Sequence, residues 1–114
     1  TDLKRDANYY DLILTGDLGA VGSKILLEYL EVNCNIKLKK HVDAGEQIFA
    51  KSQDVNAGAS GPVSLPLVLF NKVLKNTKFK KILIVGTGAL HSPNLLNQKD
   101  TIPAIAHAVS LEVL

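Results

Sequence analysis

Cysteine is almost absent from this chain of 114 residues, and long apolar runs are absent altogether. The lone Cys34 excludes an internal disulfide and a cysteine-rich zinc site; Asn33 and Asn35 beside it predict a helix-end loop carrying an inert thiol. No run approaches the ~20 apolar residues of a membrane span, and the opening TDLKRDANYYD is too polar for a signal peptide, so the expectation is a soluble, intracellular chain. Acids are missing between Asp54 and Asp100, where Lys72, Lys75, Lys78, Lys80 and Lys81 gather; Lys37, Lys39 and Lys40 form a second cluster. These lysines fit either solvated helix and strand ends or a face set against anionic lipid or a polyanion. Aromatics for stacking bases are scarce around them, and a net charge of +2 adds nothing for nucleic acid. A Walker lysine motif is lacking too.

What is present is a composition of 46% hydrophobic and 21% charged residues, enough for one core and too little for two, hence one domain or part of one. The segment YDLILTGDLGAVGS, from Tyr10 to Ser23, is an apolar run that breaks at Gly16, Gly19 and Gly22. A strand that ends in such a turn and feeds a helix leaves backbone N–H groups for an anion. Two ligand classes fit: a nucleotide phosphate, or the occupant of some other α/β corner. The GxxGxxG spacing and the poor placement of Asp43 as a ribose acid argue against a dinucleotide.

Periodicity predicts a strand over 10–15, a helix over 19–32 with Ile25, Leu26, Tyr29 and Leu30 at helical spacing, and a short exposed strand over 36–41. Residues 42–58 read as loop. Ser64 is placed to cap a helix with Pro66 in its first turn, and Leu67, Val68, Leu69, Phe70, Val73 and Leu74 make that helix apolar on almost every side, which predicts a central, buried position. Residues 82–85 (ILIV) form a continuous apolar strand ending in GTGA, and 104–114 alternate strictly as a last strand, with small residues on one face. The order β, α, β, loop, α, β, loop, β specifies an α/β fold with a mixed sheet packed on a buried helix.

Three blocks, YDLILTGDLGAVGS, KKHVDAGEQIF with NAGASG, and KILIVGTGALHSPNLLNQKDTIPAIAHAV, resemble the C-terminal region of the stage V sporulation protein AD family in the thiolase-like superfamily. The resemblance implies a partial thiolase-like fold, the C-terminal half, in which residues 1–114 are a single domain or fragment. Condensing enzymes of the superfamily use a cysteine from the first half and a histidine and an asparagine from the second. Here the histidine loop reads Thr15, Gly16, Asp17, and Ala59 stands where the asparagine would be. An alanine methyl donates no hydrogen bond to an oxyanion, so no catalytic residue is expected. The family's cysteines in the middle block are replaced by Ala44 and Pro62.

The resemblance further implies a sporulation role: binding of dipicolinic acid, with or without calcium, and its uptake into the developing spore beside other dipicolinate-channel proteins at the spore inner membrane. The candidate ligand-binding residues are Gly16, Asp17, Gly19, His41, Asp43, Ser60, Gly88 and His91, with neither a cofactor nor a resident metal expected. Each has a plainer alternative. His41 and Asp43 fit a polar strand end, His91 an exposed loop, and Asp17 a side chain bonding its own turn. His107 shares its face with Ile105 and Val109, which predicts a core histidine. The partner expected is a complementary N-terminal half or a second copy, through the sheet edge or the apolar helix. The opposing reading is an acyl-transfer or nucleotide-dependent enzyme domain using the TGDLGAVG loop.

Overall fold

The structure is a computed structural model that describes residues 4–49, 52–55, 58–59, 61–88, 93–101 and 106–114. Strand β1 (Leu12–Thr15) leads into helix α1 (Gly19–Cys34), then β2 (His41–Asp43) and the single turn α2 (Ala44–Gln47). Helix α3 (Ser64–Val68) continues as a π-helical turn, Leu69–Val73, before β3 (Lys81–Val85), the short α4 (Pro93–Asn97) and β4 (Ala108–Glu112). The sheet order is β2-β1-β3-β4, with β1 parallel to both β2 and β3 and β4 antiparallel to β3. This mixed α/β arrangement is compatible with a partial thiolase-like fold.

Alternation along the strands divides the sheet into two unlike faces. Leu12, Leu14, Ile82 and Ile84 turn to one side and pack with Val68, Leu69 and Val73 of the α3 segment and Ala44 of α2. Ile13, Leu83 and Val85 turn to the other side, beneath α1, where a cleft of about 950 Å³ lies open. Ala108 and Ser110, the small residues of the last strand, line that cleft.

Several expectations are corrected. The α3 segment is buried on one face only: Val63, Leu67, Phe70 and Leu74 are 67%, 45%, 63% and 44% exposed. Ser64 does not cap it, because Val63 holds the cap position and no side chain caps the helix. In α1, Ile25 and Tyr29 face solvent while Leu26 and Leu30 line the cleft. The strand expected over 36–41 lies instead at β2, sharing only His41 with that range and taking Val42 and Asp43 from the stretch read as loop, and Ile36 and Leu38 line the cleft; their alternation with lysines marks a segment lying along its mouth. Inside the stretch read as loop, 44–47 are helical. His107 is exposed rather than in the core, lying just before β4 at the cleft.

Candidate functional site

The carboxyl ends of the parallel strands β1, β2 and β3 meet at one corner, the usual position for a ligand crevice in an open α/β sheet. Register puts Thr15 opposite Asp43 on one side and Val85 on the other, so the turns leaving all three strands converge. Asp43 is 2% exposed, yet its carboxylate is fully engaged. Oδ1 accepts from Thr15 Oγ1 at 2.6 Å and from the Leu18 N–H at 3.1 Å, and Oδ2 accepts from the Gly19 N–H at 3.0 Å. Gly19 has a left-handed backbone (φ 69°), which directs this N–H inward. The acid from β2 therefore caps α1 across 24 residues of sequence, with its charge at the positive end of the helix dipole. The N–H groups expected to meet an external anion meet Asp43 instead.

Asp17 closes the second half of the corner. Its N–H donates to Thr87 Oγ1 at 2.8 Å; Thr87 Oγ1 donates back to Asp17 Oδ1 at 3.0 Å, and the Gly61 N–H donates to Oδ2 at 3.0 Å. One side chain thus links the turn after β1, the turn after β3 and the approach to α3. Backbone contacts complete the joint: the Gly45 N–H reaches Gly16 O at 3.0 Å, and the Ala59 N–H reaches Gly45 O at 2.9 Å. Any Cβ at Gly16 would stand 2.8 Å from Thr87 Oγ1, and one at Gly45 would strike the Ala59 carbonyl oxygen.

His41 extends the network through Nε2, 2.9 Å from Thr15 Oγ1. Thr15 gives its only hydroxyl proton to Asp43, so His41 must donate, which assigns the proton to Nε2. Burial pushes the imidazole pKa down from 6.5, against the pull of Asp43 and Glu46. This is not the connectivity of a nucleophilic triad, in which the histidine accepts the hydroxyl proton and the acid holds the opposite ring nitrogen. Cys34 is exposed and ends α1, roughly 22 Å along the helix from the corner at 1.5 Å per residue.

Of the residues singled out in the sequence, Gly16, Asp17, Gly19, His41 and Asp43 come together in this corner. Gly88 follows Thr87 but is exposed, with open space about it. Ser60 and His91 lie outside the described residues. Thr15 and Thr87 are the members that sequence reasoning passed over; each is the threonine at or just past a strand end before a glycine turn. Thr15, Thr87 and Leu18 also form the corner end of the cleft, whose other polar groups include Arg5, His107 and Ser110. Among the described residues no three His, Cys, Asp or Glu side chains are grouped as metal ligands, and no helix is long and apolar enough to cross a membrane.

The family model for stage V sporulation protein AD matches residues 1–112. The curated stage V sporulation protein AD of Bacillus subtilis (strain 168) is 44% identical over 114 residues, an alignment that takes in 97% of this chain and 34% of that protein. The chain spans about a third of the length of the curated relative it matches. A match of this extent, spanning all four strands and the corner where three of them end, shows that the chain belongs to the stage V sporulation protein AD family.

Proposed function

We propose that this sporulation chain binds a ligand without transforming it, and that the ligand is dipicolinate, a planar aromatic ring with two carboxylates, alone or with calcium. The observation that carries this reading is the cleft of about 950 Å³ running from the strand-end corner along the sheet face, at the upper end of the size range of small-molecule sites. Its walls, Ile13, Leu83 and Val85, suit a flat ring, while the Arg5 guanidinium offers donors for a carboxylate. Both acids at the corner are occupied by protein donors, the Thr15 and Thr87 hydroxyls among them, which leaves Arg5 as the charged group a ligand carboxylate meets in the cleft.

The non-catalytic part of the proposal is supported by the same corner. The Thr15 and Thr87 hydroxyls there are committed to Asp43 and Asp17, and Ala59 commits its N–H to Gly45 where condensing relatives would place a carboxamide. Uptake of dipicolinate, association with the other channel proteins and with a complementary half or second copy, and a peripheral position at the spore inner membrane belong to the proposal too. The exposed Lys75 and Lys78 suit such a surface.

Thermal denaturation with dipicolinate, with and without calcium, set against coenzyme A, acetyl-coenzyme A and NAD, tests the reading. Dipicolinate at 100 times its Kd stabilises by about 2.7 kcal/mol and raises the midpoint, while the thioester and nucleotide leave it unchanged. Stabilisation by a thioester or nucleotide with none by dipicolinate reverses the assignment in favour of an enzyme domain.

A further inference from the structure

Among the described residues that line the cleft, Arg5 is the single lysine or arginine, and no aspartate or glutamate lines it. Register explains where Arg5 stands. Ile13, Leu83 and Ser110 form one row across β1, β3 and β4, and Arg5 Nη1 donates to Ser110 Oγ at 3.0 Å, at the end of that row. Alternation sets Glu112 on the same face of β4 as Ser110, two residues further from the corner. Its Oε1 lies 2.7 Å from Arg5 Nη1 and accepts from Tyr9 Oη at 2.9 Å, while the guanidinium lies 4.6 Å from the Tyr9 ring centre. The carboxylate is therefore held from two directions. The pairs Lys24–Glu28 and Lys37–Glu31 are looser, at 3.9 and 3.7 Å with side chains at least 60% exposed, and neither lysine lines the cleft.

We infer, resting on the reading that the cleft takes a carboxylate ligand, that Glu112 limits the affinity for it: Glu112 is a resident counter-ion on Arg5 that the ligand's carboxylate must share or displace. The ground is linkage. A guanidinium already neutralised at 2.7 Å gives an arriving anion less than a bare one would, and whatever the Glu112 contact contributes before binding is subtracted from binding. By reciprocity, the ligand weakens the Arg5–Glu112 pair by the same factor. The opposite role, orienting Arg5 for the ligand, is already filled. Ser110 Oγ accepts from the same Nη1 and the Tyr9 ring lies against the guanidinium, so both hold its posture without Glu112. What Glu112 alone adds is negative charge. Both side chains are 32% exposed, so solvent screens the pair and the effect is a few-fold rather than orders of magnitude. Glu112 does not itself line the cleft; it tunes binding through Arg5.

Isothermal titration calorimetry with sodium dipicolinate, calcium excluded, tests this. Glu112→Gln, which keeps an acceptor for Tyr9, should bind about threefold more tightly than the native chain, and Glu112→Asp, which keeps the charge, should bind as the native chain does. Arg5→Gln should weaken binding about tenfold, and adding Glu112→Gln to it should gain nothing. Where the native chain binds and Glu112→Gln binds equally or more weakly, the inference is overturned and the ligand reading stands. Glu112→Asp binding as tightly as Glu112→Gln overturns charge as the cause, and an equal gain in the Arg5→Gln background overturns the route through Arg5. Dipicolinate binding to neither the native chain nor Glu112→Gln sinks the ligand reading itself, and this inference with it. Should Glu112→Gln fail to fold by circular dichroism, Glu112→Thr, neutral and suited to a strand, carries the same expected gain.

Discussion

Asp43 ties the start of α1 to the paired strands β1 and β2. Truncating it leaves the Leu18 and Gly19 N–H groups and the Thr15 hydroxyl without their acceptor in a buried corner. With about 1–3 kcal/mol for each buried donor left unsatisfied, tempered by water entering the space, Asp43→Ala should cost about 3 kcal/mol in urea denaturation. A loss below ~1 kcal/mol would mean that α1 does not depend on this cap. His41 adds a dependence on pH. Burial favours its neutral form in the folded chain, outweighing Asp43 and Glu46, so the unfolded chain takes up a proton first, near 6.5. Unfolding is therefore helped by acid: the stability attached to neutral His41 is complete above about pH 6.5 and declines as the pH falls toward the lower folded value. Denaturation midpoints measured from about pH 5 to 8 should rise with pH for the native chain and lose that component in His41→Gln. An unchanged slope in the variant would assign the acid sensitivity to other groups.

The turn α2 depends on a position no periodicity could reveal. Gly45 lies with its Cα hydrogen against the Ala59 carbonyl, Asp43 Oδ2 would be 3.0 Å from any added Cβ, and neither neighbour can retreat without breaking the corner. Gly45→Ala should thus destabilise by about 2 kcal/mol, read by thermal unfolding, although alanine is the better helix former. A rise in the midpoint would show that the loop at Ala59 yields freely. Legibility followed the same division between local and remote causes. Strands β1 and β3 and helix α1 were readable because their own residues carry the signal: a continuous apolar run, a glycine break, an Asn35 in left-handed geometry (φ 52°) at the helix end. Gly16, Asp17, Gly19 and Asp43 were identified as site residues, but their partners were not, since Thr15 to Asp43 spans 28 residues and Asp17 to Thr87 spans 70. The α3 segment misled for a physical reason. Apolar residues all round a helix signal contact on every side without saying whether one chain supplies all of it.

At the scale of the whole molecule, the sheet is closed at its centre and held more loosely at β4. Strand β3 is paired on both sides, whereas β4 pairs with β3 alone among the described residues, and no residue of β4 is fully buried. What fastens β4 is the N-terminal segment laid across it. Arg5 pairs with Glu112 at 2.7 Å and donates to Ser110 Oγ at 3.0 Å; Tyr9 Oη donates to Glu112 Oε1 at 2.9 Å, and the Arg5 and Lys81 cations lie 4.6 and 4.2 Å from the Tyr9 ring centre. These groups are near solvent, so each contact contributes little to global stability. Together they govern local opening of one strand. Replacing Glu112 with Gln removes the ion pair yet keeps an acceptor for Tyr9, and hydrogen exchange should then separate two classes of amide. Those of β1 and β3, which open only with the core, should exchange as before, while those of β4 should exchange about threefold faster, as the loss of one solvent-exposed contact from a local opening allows. Uniform acceleration across all four strands would instead make the clasp part of the single cooperative unit. In that case the cleft wall formed by Ala108 and Ser110 could not loosen without unfolding the domain, and a ligand would have to enter along α1 rather than past β4.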